Sequence, residues 1–177
     1  MRKFFILTAD DREDVHCLAR RELGKTDVKT LWSGKRLSEP LPSDVKLWIE
    51  GDVPCDFLVN PISWPIFSER FVNTAWEMIR DDVQLLEAPL FDAKTGEAIQ
   101  GYRIVNLLGS VDAAVVEAGR KVSDVQYLTL TDSKIPPDFH FFRLGGAPTR
   151  LIASGELVKV LKAARMVGIA YLKTTTV

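Results

Sequence analysis

The sequence predicts an α+β fold, a single domain with a mixed, mostly antiparallel sheet and two serine-capped strand–helix–strand units. Three observations carry that reading. One pattern occurs twice, at residues 65–86 and 151–172: a short apolar run, a serine, a helical stretch and a second short apolar run. Many other short runs of branched and aromatic residues are separated by Gly, Pro and Asp breakers. Two substantial helices among many short strands point to α+β rather than to a doubly wound sheet.

Each unit has a local physical logic. Ser68 and Ser154 stand at N-cap positions, where a hydroxyl oxygen accepts from the first helical N–H groups. Glu69 and Glu156 put negative charge near the positive end of the helix dipole. Neither copy has the Glu or Gln of a capping box three residues on. Apolar residues recur at helical spacing, as Phe71, Ala75, Met78 and Ile79 and as Leu157, Val160, Leu161 and Ala164. Each large side chain buried there contributes roughly 1.5–3 kcal/mol. Gly168 stands where a helix C-terminal glycine is expected, and Asp81-Asp82 forms the matching turn. Strands follow at 83–86 and 169–172. Superimposing the serines aligns Ile66 with Ile152, Phe71 with Leu157, Met78 with Ala164 and Val83 with Ile169. Two unrelated amphipathic helices could also look this alike.

Along the rest of the chain, residues 3–8 read as a buried strand. Residues 10–23 fit a short helix or an irregular loop. Residues 24–54 are turn-rich, with short strands at 28–32 and 45–49, and a further strand spans 57–59. Residues 92–96 form a polar hairpin loop, 102–108 a strand, and 109–117 a short amphipathic segment. A strand of near-regular alternation spans 125–131. Pro136-Pro137 stiffens the loop at 132–138. Residues 139–144 are an aromatic strand that Gly145-Gly146-Ala147-Pro148 breaks, and 174–177 read as a frayed tail.

A chain of 177 residues is most simply one domain (1–177), with a soft boundary near residue 60. Hydrophobic residues at 46% and charged residues at 27% are ordinary globular values that allow a core without staples. A formal net charge of -1 gives no whole-molecule field toward nucleic acid or an anionic membrane. No apolar run approaches the roughly 18 residues of a membrane span. The apolar patch after Arg2-Lys3 ends at once in Thr8-Ala9-Asp10-Asp11, too short for a signal-peptide core. Two cysteines in such a chain read as free thiols of a cytosolic protein.

The candidate chemistry is sparse. His16 and Cys17 are neighbours, and adjacent residues point apart on either a strand or a helix. His140 could instead meet Cys17 or Cys55 in space. Two His and two Cys lack the spacing of a zinc site. Carboxylates gather at Asp10, Asp11, Glu13 and Asp14 and again at Asp81-Asp82, without a calcium-loop pattern, and read as solvated turns. Gly145-Gly146 with the helix at Ser154 suggests an anion site, but no phosphate-loop motif is present, and Arg143, Arg150 and the glycines read as a turn. The dibasic pairs Arg20-Arg21, Lys35-Arg36 and Arg120-Lys121 are scattered, without interleaved aromatics. Trp32, Trp48, Trp64 and Trp76 are candidates for the core or for an interface, with Trp76 off the apolar stripe of its helix.

Several segments, in order, carry a resemblance. They are I-F-S-E-R-F-V-N-T-A-W (66–76), Y-R-I-V-N-L-L-G-S-V-D-A-A (102–114) and Y-L-T-L (127–130) followed by D-S-K-I-P (132–136). Then come F-F-R-L (141–144), I-A-S-G-E-L-V-K-V-L-K-A-A (152–164) and Gly168-Ile169. The pattern resembles a bacterial family once catalogued as a domain of unknown function. That family is now grouped among the immunity proteins of polymorphic toxin systems, with a Myxococcus protein as namesake. The resemblance spans residues 60–172, and the N-terminal third matches loosely, through the opening strand. Gly155 and Glu156 depart from the S-E-R form of the first unit. The resemblance implies a cytoplasmic protein that binds and neutralises a cognate toxin encoded nearby, by occluding it. It supplies no catalytic residue, cofactor or metal, and no partner-binding residue to carry over. The segment least like the family, residues 10–60, is where partner choice is expected. The rivals are a hydrolase or transferase using Cys17, Cys55 or His140, and a homodimer pairing through a strand edge or Trp patch.

Overall fold

The structure is a computed structural model and describes residues 1–10, 17–50, 55–58, 60–116, 118–124 and 127–177. In chain order the strands are β1 (Phe4–Ala9), β2 (Cys17–Glu22), β3 (Lys46–Glu50), β4 (Phe57–Leu58), β5 (Ile66–Ser68), β6 (Val83–Glu87), β7 (Leu90–Asp92) and β8 (Ala98–Ile99). They continue with β9 (Tyr102–Leu107), β10 (Ser110–Val111), β11 (Ala114–Val115), β12 (Thr129–Leu130), β13 (Phe141–Leu144), β14 (Ala147–Ser154), β15 (Ile169–Lys173) and β16 (Thr175–Thr176). The α-helices are α1 (Glu69–Ile79) and α2 (Gly155–Ala163). The fold is α+β and mostly antiparallel as expected, but its strands form several sheets rather than one.

Both predicted units are present, and each is completed by a third strand. In the first, β9 lies between β5 and β6, antiparallel to both, with β4 outside β5. In the second, β1 lies between β14 and β15 in the same way, with β13 outside β14. The registers correspond. Ile104 pairs with Ile66 and Leu86, as Ile6 pairs with Ile152 and Leu172. Hydrogen bonds off the ladders correspond too. Glu69 N–H donates to Gly101 O (2.8 Å), as Gly155 N–H donates to Lys3 O (2.7 Å). Leu108 N–H donates to Asp82 O, as Asp10 N–H donates to Gly168 O. The molecule is therefore a structural repeat in which the inserted strand follows the first unit but precedes the second along the chain.

Both helices start as predicted: Ser68 Oγ accepts from Phe71 N–H and Ser154 Oγ from Leu157 N–H. The end of α2 differs. Its left-handed residue is Arg165 (φ 53°), and Arg165 N–H bonds Lys162 O while Met166 N–H bonds Leu161 O, a Schellman arrangement. Gly168 serves a different need, because a Cβ there would sit 2.8 Å from Cys55 Cβ at a φ of +76°. The buried stripe of α2 is Leu157, Val158 and Leu161, leaving Val160 outside. Val72 joins Phe71, Ala75 and Ile79 on α1.

The two helices and the inner sheet faces of both halves share a central core. Its seam is aromatic: Phe67 stacks on Phe71 (4.0 Å) and on Phe57 (4.6 Å) and meets Phe141 edge-on (5.8 Å). Each outer face has its own cover. Residues 28–50 with β7 and β8 close over Ile66 and Ile104, around Trp64. The three-stranded sheet of β11, β12 and β16 lies beside Phe4, Phe142 and Ile152.

Several expectations are corrected by partners distant in sequence. Residues 28–32 form a 3-10 turn capped by Asp27, whose side chain accepts from Lys29 N–H. Within 10–23, Cys17–Glu22 is a strand, because β3 offers β2 a ladder, and residues 11–16 lie outside the described residues. Residues 109–117 contribute two short strands, β10 and β11. Of the strand expected at 125–131, only Thr129–Leu130 is strand; Val125 and Gln126 lie outside the described residues, and Tyr127 is exposed. The Gly145-Gly146 break is a hairpin turn, and Ala147 and Pro148 already belong to β14. The tail is tied down, with Thr174 Oγ1 donating to Phe4 O (2.9 Å) and β16 pairing with β12. Arg2 pins the Pro136-Pro137 loop through Asp132 (2.7 Å) and the carbonyls of Ile135 and Pro136.

The helices run antiparallel, and one carboxylate joins the start of α1 to the end of α2. Asp56 Oδ1 accepts from Ser68 Oγ (2.5 Å), and Oδ2 accepts from Val167 N–H (2.8 Å) and Arg70 Nη1 (3.1 Å). Arg70 also donates to the carbonyls of Ala164 and Arg165 at the C-terminal end of α2. Asp56→Ala leaves these donors unmatched and is expected to cost about 1–3 kcal/mol. Ser154→Ala, removing one cap, is expected to cost about 1 kcal/mol. Denaturant unfolding of both variants checks the order; an Asp56→Ala loss smaller than that of Ser154→Ala would refute the bridging role.

Candidate functional site

The repeat places His140 where the first half has Asp56. His140 Nδ1 lies 2.8 Å from Ser154 Oγ, and Ser154 N–H donates to His140 O (2.8 Å), as Ser68 N–H donates to Asp56 O (3.0 Å). Arg70, the partner of Asp56, corresponds to Glu156, whose Oε2 lies 4.0 Å from His140 Nδ1. The two helix starts thus share a geometry with the acidic and basic partners exchanged. Both serines are committed to capping.

Each sequence candidate has a definite place. Cys55 is buried, and its Sγ lies 3.3 Å from Phe57 O as a donor. It stands beside the start of α1, whereas His140 stands beside the start of α2. Because the helices are antiparallel, these starts lie at opposite ends of the pair, roughly 15 Å apart at 1.5 Å per residue. The structure therefore does not bring Cys55 and His140 together. His16 and the acidic residues Asp11, Glu13 and Asp14 lie outside the described residues, as does the side chain of Cys17. Among the described residues no group of three His, Cys, Asp or Glu is placed to hold a metal ion. No described helix is long and apolar enough to cross a membrane.

The glycine pair and Ser154 lie at opposite ends of β14, eight residues of strand apart, so they do not form one anion site. Gly145 packs against Asp112. Arg143 is a fully buried strand residue rather than part of a turn. Among the tryptophans, Trp64 is fully buried with its indole N–H on Val28 O (2.9 Å). Trp32 donates to Ile62 O (3.1 Å), and Trp48 packs against Phe91. Trp76 is the exposed one, at 37%.

A feature that sequence reasoning missed is a groove of roughly 380 Å³ where residues 40–43 meet residues 86–91 and 98–103. Its walls are mixed, with Leu41, Leu86, Phe91 and Ile99 as apolar side chains beside Ser43, Gln100 and charged groups. At its charged end Arg103 lies 2.8 Å from Glu69 and 3.5 Å from Glu87, an excess of one carboxylate. Tyr102, also on the wall, donates to Cys55 O (3.0 Å), and burial pushes its pKa up to about 12. Tyr171 is likewise raised to about 12, by burial and then by the charge of Asp56. Pro40, Pro42 and Pro89 signal rigid turns, but nothing local says that these turns converge.

Beyond α1, burial raises the pKa of Asp82, assisted by Asp81 and Asp138 and opposed by His140. A raised native pKa means that ionisation opposes folding. The cost is absent where Asp82 is protonated in both states, below the ordinary value of 3.8, and complete once pH exceeds the native pKa. Asp82→Asn is therefore expected to raise the melting temperature at neutral pH, with the gain vanishing as pH falls below about 3.8. Melting curves across that range test it, and a gain independent of pH would contradict it. Cys55 is expected to resist alkylation in the native protein and to react once unfolded. Peptide mass mapping reads this out, and fast native labelling would overturn the buried assignment. A comparison of the chain with protein-family models finds none that matches, and no curated protein matches it either.

Proposed function

We propose that this chain is a non-enzymatic interaction protein, an immunity protein that binds a cognate bacterial toxin and neutralises it by occlusion in the cytoplasm. The resemblance over residues 60–172 motivates the reading. The observation that supports it most is the groove. There residues 40–43, part of the segment least like the family (10–60), form one wall, and residues 86–91 and 98–103, within the span of the resemblance, form the other. A scaffold shared by relatives could in this way present a partner-specific edge. The exposed carboxylate excess at Glu69 and Glu87 favours a toxin segment that brings a basic side chain. An interface of standard size, about 1,200–2,000 Å² in total, would extend beyond the groove over the surrounding loops. The tryptophans of residues 10–60 contribute less to this surface than their number suggests, because Trp32 and Trp48 are half-buried and pack or bond inward.

The positions of Cys55 and His140 also favour a binding role over a hydrolase or transferase, since the buried Cys55 thiol lies on Phe57 O and His140 is bonded to the serine that caps α2. A homodimer remains a distinct outcome, read from the mass in solution.

The test is capture of the products of the flanking genes by the intact chain, followed by co-expression. A tight complex that restores growth is the expected result. Ser43→Arg and Gln100→Arg, both exposed on the groove walls, are expected to weaken that complex at least 10-fold without moving the melting temperature. Absence of any partner and of rescue, with the protein folded, would overturn the immunity reading. Full binding by both variants would move the interface away from the groove.

A further inference from the structure

The two halves repeat a backbone and invert the charge at one place on it. A cleft of about 430 Å³ opens at residues 1–3 and 173–176, where β1 begins and β15 ends. The repeat puts this cleft where the first half has its groove. Lys3 corresponds to Gly101, because their carbonyls accept from Gly155 N–H and Glu69 N–H. Lys173 pairs with Phe5 as Glu87 pairs with Arg103. Carried along both strands, these matches place every residue that lines the cleft on a residue that lines the groove.

The side chains at the matched positions differ in sign. In the first half Glu69 carries the charge at the helix start, and its strand partner is Gly101. In the second half the helix residue is the glycine, Gly155, and the strand residue is Lys3. A Cβ on Gly155 would lie 3.2 Å from Lys3 Cβ, so the lysine takes that side of the pair. Glu87 is matched by Lys173, and Trp76 by Lys162. Lys162 Nζ lies 5.9 Å from the ring centroid of Phe5 and 5.2 Å from that of Tyr171. Lys3, Lys162 and Lys173 are all exposed, and none forms an ion pair among the described residues. The carboxylates on neighbouring elements are turned elsewhere: Asp132 binds Arg2 (2.7 Å), and Glu156 lies toward His140 (4.0 Å). A formal net charge of -1 thus conceals an acidic groove at one helix start and a basic cleft at the other.

The spacing of the lysines points to the kind of partner. Lys3 and Phe5 both lie against Gly155, and Lys173 is the cross-strand partner of Phe5. Lys3 and Lys173 are therefore diagonal neighbours on one face, about 7–8 Å apart. That distance suits two carboxylates better than one small anion. In an extended chain, side chains two residues apart share a face at about 6.6 Å. Thr175 and Thr176 bring hydroxyls to the same cleft. Phe5 and Tyr171 are half-buried beneath Lys162, so the surface has no open platform for stacking bases. We propose that this cleft is a second docking site, which takes an extended acidic segment of a partner protein with carboxylates two residues apart on Lys3 and Lys173. Lys162 adds a third positive charge beside them. The site does not depend on the immunity reading, because it lies at the other helix start from the groove and its test needs no toxin.

The experiment is amide NMR of the intact chain, titrated at constant ionic strength with the peptide acetyl-Ser-Asp-Leu-Asp-Ser-amide. The same peptide with asparagine in place of both aspartates is the neutral control. The amide resonances of Lys3, Lys173 and Thr175 are expected to shift saturably with the acidic peptide and not with the control. Lys3→Gln combined with Lys173→Gln is expected to weaken binding at least about 10-fold. Lys25→Gln combined with Lys94→Gln removes the same charge from exposed positions elsewhere and is expected to leave binding unchanged. Because all four lysines are exposed, both double variants are expected to keep the melting temperature of the natural protein. Equal weakening by the two double variants would reduce the effect to net charge and overturn the site. Tighter binding of inorganic phosphate or of a ten-nucleotide oligothymidylate than of the acidic peptide would also overturn it.

Discussion

The position of Asp56 is the constraint on which the rest of the structure depends. One buried carboxylate receives the serine that caps α1, the backbone N–H of Val167 beyond α2, and the arginine that holds the carbonyls at the end of α2. These groups come from opposite ends of the sequence, so the bridge can exist only when both halves are docked. A carboxylate removed from water must find such donors, and finding them in two elements at once fixes their relative placement. The aromatic seam of Phe57, Phe67, Phe71 and Phe141 then fills the space that this placement leaves.

The second half carries the same helix-start geometry with the acidic and basic residue types exchanged. His140 replaces Asp56, and Glu156 replaces Arg70, on a backbone whose registers and off-ladder hydrogen bonds correspond. The repeated geometry comes from the backbone and from the serine cap, which accept either side chain beside the serine. The side chains are free to differ provided that each buried polar atom has a partner. That freedom explains why the two units align at their serines and apolar positions and diverge between them.

Local signals were legible in the sequence, and pairings between distant segments were not. Ser68, Ser154, the Asp81-Asp82 turn and the hairpin loop at 92–96 act within a few residues, and each is where the sequence places it. The strand inserted into the second unit is the start of the chain, so no contiguous pattern revealed it. The tail reads as frayed because its threonines have no local partner; their partners are Phe4 and Leu128. Residues 28–32 carry branched and aromatic side chains that suit a strand, yet Asp27 offers a cap to Lys29 N–H and they form a 3-10 turn. The groove failed for the same reason, since its walls come from three separate stretches.

Arg143 sharpens this contrast between the two polar interiors. Around Asp56 every charged group has a counterpart, and the result is a rigid joint. Around Arg143 the described residues supply one carbonyl, although a methionine would fill a similar volume without the desolvation cost. A carboxylate matched by three separate donors ties the two halves together, whereas a buried cation held by one carbonyl costs stability that the apolar packing around it must offset.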